Sequence, residues 1–273
     1  MTYQDLLNRL KAISPEEYEF EARVLVECYT EHKISYYISD PARNIDSQVL
    51  EVALKKREER VPLQYIIGEW DFYRQTYFVN ESCLIPRSDT EILVEKAIQL
   101  LPRNSHFADL CTGSGCIAIS TLCERPDTSA IMVDKFDNTL AIANRNAERN
   151  GVSNKALPML FDVLNESSQL DGMSFDAILS NPPYIRPDVI ETLTPEVKKE
   201  PYAALYGGED GLIFYRTIVA QYSKYLKKDG FFLFEIGYDQ ADDLRAIADQ
   251  NAFNCEIFKD YGANDRVAYL TRK

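Results

Sequence analysis

The chain has 273 residues, 45% of them hydrophobic, and a formal net charge of −13 from 30 basic and 43 acidic side chains. That is enough apolar material for two domains or one large domain with an appendage, while the acidic excess argues against broad grip on nucleic-acid phosphates, which requires basic side chains. Six scattered cysteines without a CxxC pair fit neither a zinc site nor a disulfide scaffold, and no leader or eighteen-residue apolar run is evident, so reduced thiols, a cytoplasmic location and no membrane span are expected.

Residues 1–60 read as helices. Leu6, Leu7, Leu10 and Ile13 recur at helical spacing. Ser14-Pro15-Glu16-Glu17 predicts the next start, with Ser14 as N-cap, Pro15 in the first helical position and Glu17 closing a capping box. Phe20, Val24 and Cys28 continue one face of that helix. A third helix is predicted from near Asp46, carrying Val49, Leu50, Ala53 and Leu54 into the charged end Lys55–Arg60, whose faces are read as solvated surface. No catalytic cluster is visible here, and as a unit (1–60) a helical cap before a catalytic domain suits partner recognition.

Residues 61–84 change period. Trp70, Phe72 and Tyr73, then Tyr77, Phe78 and Val79, flank Arg74-Gln75-Thr76 and predict a β-hairpin linker. Ile85-Pro86-Arg87 follows, and Ser88-Asp89-Thr90-Glu91 reads as a second capping box opening a helix to Leu101. Arg87 and Thr90 are candidates for ligand contact; Ser88 and Glu91 are assigned to capping.

From residue 106 strand and helix alternate, the pattern of a doubly wound α/β sheet. The strand His106–Leu110 runs into Cys111-Thr112-Gly113-Ser114-Gly115 and then a helix, a loop whose glycines let a ligand approach backbone N–H groups. Alone that loop is a weak signal. About twenty residues on, a strand ends in Asp134, where a carboxylate in such folds bonds ribose hydroxyls. The strand predicted at 157–161 delivers Asp162-Val163, an acid able to accept from an adenine amino group beside an apolar residue able to lie against the ring. A plain turn acid explains Asp162 nearly as well.

The apolar run Phe175–Ser180 predicts a buried parallel strand, stopped by Asn181-Pro182-Pro183-Tyr184 because proline has no N–H to give the ladder. The Asn181 side-chain oxygen and the Pro182 carbonyl are two acceptors able to face one NH2 group. An amide nitrogen is a poor nucleophile because its lone pair is delocalised, and two fixed acceptors favour the pyramidal, partly positive nitrogen that attack requires. Tyr184 offers a flat face to a planar group. The bland alternative is a proline-stiffened turn capped by Asn181. A proline-marked segment, 185–209, closes at Gly207-Gly208 and reads as a substrate cover. A helix over 211–228, a turn at Asp229-Gly230, a strand over 231–236, a helix over 239–250 and strands near 253–258 and 266–271 finish the chain. His32 and His106 are read as structural.

With these pieces placed, the chain resembles the peptide chain release factor glutamine N5-methyltransferase family nearly end to end. The resemblance rests on Pro62-Leu63-Gln64-Tyr65-Ile66 with Gly68, Ile85-Pro86-Arg87 with Asp89-Thr90-Glu91, Asp109 to Gly115, Asp134, Asn181-Pro182-Pro183-Tyr184-Ile185 and Glu235-Ile236-Gly237. It implies a seven-stranded, Rossmann-like methyltransferase sheet over 85–273, closed by an antiparallel pair, and joined by the 61–84 hairpin to a helical recognition domain over 1–60. It also implies S-adenosylmethionine as donor, with Cys111, Thr112, Gly113, Ser114 and Gly115 around its methionine part, Asp134 on the ribose, and Asp162 and Val163 at the adenine. Asn181, Pro182, Pro183 and Tyr184 would hold the glutamine of a class I release factor's Gly-Gly-Gln loop, Asn181 also bordering the donor and Asn181, Pro182 and Tyr184 serving catalysis. A monomer without nucleic acid, membrane or metal is expected. Cys111 stands where many relatives have glycine and Val163 where some have an aromatic. Asn-Pro-Pro-Tyr is shared with adenine-N6 and guanine-N2 nucleic-acid methyltransferases, the alternative enzyme reading; a release-factor-binding module with a vestigial donor site is the non-enzymatic one.

Overall fold

Capping chemistry and helical spacing of leucines organise the first residues of the chain. In a computed structural model describing residues 1–40 and 42–273, Thr2 caps the helix Tyr3–Lys11 through a reciprocal box with Asp5, and Leu6 and Leu10 face inward. The second helix, Tyr18–Tyr29, begins later than the Ser14 signal predicts and carries no side-chain cap. The Ser14 N–H is committed to the Leu10 carbonyl at 2.8 Å, closing the first helix, and Ser14 to Glu17 form a turn instead. Ser47 caps the helix Gln48–Glu58, while Leu63–Ile67, inside the stretch read as linker, is one more helical turn ended by Gly68 at φ +84°.

Two compact units emerge, Met1–Glu69 with Thr194–Lys199, and Trp70–Leu193 with Glu200–Lys273. In the first, Arg57 departs from the surface reading of its helix end. It is buried, its Nε and Nη2 bind both oxygens of buried Glu21 at 2.8 and 3.0 Å, and its Nη1 binds Glu196 at 3.0 Å. Arg60 adds a second bond to Glu196, so the short return of the chain at 194–199 is tied to the helices by guanidinium groups.

Strands β1 (Glu69–Phe72) and β2 (Gln75–Phe78) form the hairpin, with Tyr73 at φ +57° in its tight turn. Glu91 accepts from the Tyr73 N–H at 2.7 Å. It therefore serves the hairpin rather than the second capping box expected at Ser88, and Ser88–Thr90 is a 3-10 turn leading into the helix Glu91–Leu100 without a side-chain cap.

The second unit is an α/β layer around one sheet. Strands β3 (His106–Leu110), β4 (Ser129–Asp134), β5 (Ala156–Leu160), β6 (Phe175–Ser180), β7 (Leu226–Glu235), β8 (Phe253–Lys259) and β9 (Asp265–Arg272) lie in the order β5-β4-β3-β6-β7-β9-β8. The first five run parallel and β9 pairs antiparallel to β7 and β8, the doubly wound sheet that the alternation predicts with the closing antiparallel pair that the resemblance implies. Apolar cores cover both faces, with Ile178 and Phe232 on one and Leu179 and Leu233 on the other. β7 starts five residues before the predicted 231, because Leu226 pairs with Phe175 and a register shift absorbs the exposed Lys-Lys-Asp before Phe231 pairs with Ala177.

Removing one partner of a buried, bidentate ion pair leaves an uncompensated charge and costs about 3–5 kcal/mol. Arg57→Ala should lower the stability of the helical unit by about that amount in chemical denaturation, and loss of under 1 kcal/mol would show the pair to be dispensable.

Candidate active site

The sheet order reverses between β3 and β6, and an open α/β sheet binds its ligands in the crevice at such a point. Leu110 pairs with Ser180, and the Ser180 hydroxyl donates to the Leu110 carbonyl at 2.5 Å, so the loops beginning at Cys111 and Asn181 leave the sheet side by side.

The first loop is pinned by two carboxylates. Asp109 is wholly buried, accepts from the Thr112 hydroxyl at 2.6 Å and from the Ala118 N–H at 3.2 Å, and so caps the helix Cys116–Glu124 from the strand end. Burial pushes its carboxyl up to about 7. Asp134 accepts from the N–H of Gly113 at 3.0 Å and of Phe136 at 3.2 Å, and burial raises it too. Cys111 adopts φ +60°, the left-handed conformation that a glycine would take without strain, and burial pushes its thiol far above the ordinary range. Asn146 completes the frame, bonding Phe78 through both its amide atoms and the Ser114 carbonyl at 2.8 Å.

In the second loop the Asn181 Nδ2 donates to the Thr90 hydroxyl at 3.2 Å, and among the described residues nothing donates to its Oδ1 or to the Pro182 carbonyl. Tyr184 turns inward, packs on the core and donates to buried Glu235 at 3.3 Å. Its backbone is gripped from behind, where Gln240 Nε2 approaches the Tyr184 carbonyl at 3.3 Å and Ile185 exchanges backbone bonds with Leu205 and Gly207. A Cβ on Gly207 would sit 2.5 Å from the Tyr184 Cα, and one on Gly211 would overlap the Tyr184 carbonyl.

One cavity of about 270 Å³ spans both loops. Of the predicted site residues it is lined by Cys111, Thr112, Gly113, Ser114, Asp134, Asp162, Val163, Asn181 and Pro183, with Arg87 and Thr90. Pro182, Tyr184 and Gly115 do not line it. Gly115 instead faces Ile119, Ala143 and Met132, where a Cβ would come within 2.7 Å, so its role is to let helix and sheet pack. Asp162 accepts from Lys135, Asn165 and the Leu164 N–H, as a turn acid does. Arg87 pairs with buried Glu200, which also accepts from the Ile85 N–H. Residues not predicted also line the cavity, notably Cys83, Phe136, Ala204 and Phe214. An aromatic two residues after the strand-ending acid is a readable signal for Phe136; the others come together only through the tertiary fold.

A family model described as Methyltransferase small domain matches residues 88–200, and one described as PrmC N-terminal domain matches residues 3–68. The release factor glutamine methyltransferase of Aquifex aeolicus is 33% identical over 98% of this chain and 95% of its own, and that of Fusobacterium nucleatum 40% identical over 86% and 67%. The chain belongs to the release factor glutamine methyltransferase family. Its fold is also that of the ribosomal protein L11 methylase of Lactobacillus delbrueckii, at TM-score 0.52 and 19% identity over 71% of this chain and 84% of that one. In this methyltransferase the two glycines behind Tyr184 set where the loop 181–184 stands. Gly207→Ala should push that loop outward and, since a displacement near 1 Å can cost ~10²-fold, cut turnover by about that factor while donor affinity holds. Unchanged turnover would show that the loop tolerates the shift.

Proposed function

We propose that the protein transfers a methyl group from S-adenosylmethionine to the side-chain amide nitrogen (N5) of the glutamine in the Gly-Gly-Gln loop of class I release factors. The observation carrying this reading is the state of Asn181: its NH2 is spent on Thr90, which leaves Oδ1 as a bare acceptor in a cavity shared with the 111–114 loop.

The residues present fit such a donor. Gly113, at φ +57°, has nothing within 4 Å of where a Cβ would stand, so the loop leaves open space beside its backbone. Asp134 supplies a half-buried carboxylate at the cavity wall, and Phe136, Val163 and Leu164 supply apolar surface for a ring. S-adenosylmethionine brings an electrophilic methyl carbon on a positively charged sulfur. The chain's part is to bind and aim. Asn181 Oδ1, at the cavity wall, accepts one amide hydrogen; the Pro182 carbonyl, outside that lining and with nothing donating to it, is assigned the other, and Pro183 with Ala203 and Ala204 walls the carboxamide. Orientation of this kind contributes about 7–11 kcal/mol in favourable cases. His106 takes no part, since its Nδ1 bonds Ser129 at 2.9 Å at the opposite end of β3.

The helical residues 1–60 are assigned to recognition of the release factor, 61–84 to the linker and 85–273 to catalysis. The protein acts as a monomer in the cytoplasm without direct contact to nucleic acid. No helix among the described residues is long and apolar enough to cross a membrane. Methylation of a flipped nucleic-acid base is the alternative reading, and the net charge of −13 counts against it.

Incubation with labelled donor and a release factor should place the label on the loop glutamine by mass spectrometry, with none on a Gln-to-Ala loop or on bare DNA. Label on DNA alone would overturn the reading. Asn181→Ala should lower turnover by about 10²–10³ with donor affinity intact. Asp134→Ala should do the converse, weakening donor binding by about 1.5–3 kcal/mol in calorimetry; unaltered affinity would remove Asp134 from the donor site.

A further inference from the structure

Two cations line the cavity among the described residues, Arg87 and Lys135. Lys135 is spent on Asp162 at 2.8 Å, beyond the ends of β4 and β5. Arg87 stands on the other side. Its carbonyl accepts from the Thr90 N–H at 3.0 Å, and the Thr90 hydroxyl accepts from Asn181 at 3.2 Å, so its turn is fastened to the loop that follows β6. The guanidinium is held from behind. Its Nη2 donates to one oxygen of Glu200, and the other oxygen of Glu200 accepts from the Ile85 N–H at 3.0 Å. Glu200 is buried, its side chain 1% exposed, and it does not line the cavity. With one oxygen committed to backbone, this carboxylate cannot close the paired grip that arginine and a carboxylate often form. The guanidinium makes no other bond among the described residues and its side chain keeps 38% exposure, so N–H donors remain unspent at the cavity wall.

We propose that Arg87 binds the α-carboxylate of the donor's methionine part, with Glu200 as the positioning residue that holds the guanidinium in place for it. This rests on S-adenosylmethionine being the donor. Of the donor's groups only that carboxylate carries a negative charge, and the other cation at the cavity wall already faces Asp162. The order of the strand ends matches the order of the molecule. Adenine and ribose lie at β5 and β4, the sulfur between β3 and β6, and the amino-acid end toward Ile85-Pro86-Arg87. A lysine at 87 would bring one point charge, already engaged by Glu200; the planar fork of arginine can serve two carboxylates at once. Glu200 also opens the stretch whose Pro201, Ala203 and Ala204 wall the same cavity, so one buried carboxylate ties that wall to the segment that meets the donor.

The test is calorimetry on the full chain with S-adenosylhomocysteine and its decarboxylated analogue, which lacks only the α-carboxylate. The wild type should bind the first about 10- to 100-fold more tightly, the worth of a hydrogen bond between charged groups. Arg87→Ala should close that gap by weakening S-adenosylhomocysteine alone, and Arg87→Lys, with the charge but no fork, should restore only part of it. Glu200→Gln, which keeps an oxygen for the Ile85 N–H, should narrow the gap and leave the affinity for the analogue as in the wild type. A wild type without the gap, an Arg87→Ala that keeps it, or an Arg87→Ala that weakens both compounds alike would overturn the assignment. Full recovery by Arg87→Lys would overturn the paired grip, and a Glu200→Gln with the wild-type gap would remove Glu200 from positioning. Weaker binding of a release factor by Arg87→Ala with the gap intact would place Arg87 on the protein substrate instead. A wild type that binds neither compound would overturn the donor reading on which the proposal rests.

Discussion

The parallel pairing of β3 with β6 is the constraint on which the site depends. Because Leu110 and Ser180 share a register position at the reversal of strand order, the donor-type loop and the Asn-Pro-Pro-Tyr loop are forced into one crevice. Shift that register and each loop survives as a turn, but they no longer line one cavity. The rest of the second unit holds this juxtaposition against relaxation: Asp109 and Asp134 pull the first loop onto the sheet, and Gln240, Gly207 and Gly211 fix the second from behind.

That rigidity is not free. Cys111 keeps a left-handed backbone without being glycine, a conformation that costs roughly 1–2 kcal/mol. Asp109 and Glu235 are carboxyls raised to about 7 in the folded chain. A raised folded pKa means that folding favours the neutral acid, so the stability this contributes is full below the ordinary carboxyl range and declines as pH rises through about 7. Near neutrality both groups therefore sit where ionisation trades against folding stability, a conflict common where a fold carries chemistry rather than only a core.

The alternation of strand and helix, the seven strands and the polar residues at their carboxyl ends were legible because short apolar runs stopped by Asn-Pro or by Thr-Gly-Ser-Gly leave little else for those stretches to be. Local competition hid other features. Ser14-Pro15 has the letters of a helix start, yet the Ser14 N–H bonds Leu10 and the Glu17 N–H bonds the Ser14 carbonyl in a turn, while the working box is at Thr2 and Asp5. The Lys-Lys-Asp after Leu226 reads as a turn because its side chains are exposed, although the backbone is already in the sheet. Tyr184 was read from its chemistry as a stacking face, but its direction is set by Glu235, fifty-one residues away. The glycines at 207 and 211 look like loop residues until the Tyr184 backbone is placed against them.

The most direct test of the account is a crystal structure of the protein with S-adenosylhomocysteine and a release factor carrying its Gly-Gly-Gln loop. The glutamine nitrogen should lie within hydrogen-bond reach of both Asn181 Oδ1 and the Pro182 carbonyl, with Asn181 Nδ2 still on Thr90. A glutamine side chain bound away from these two oxygens, or an Asn181 amide turned the other way in the complex, would contradict it.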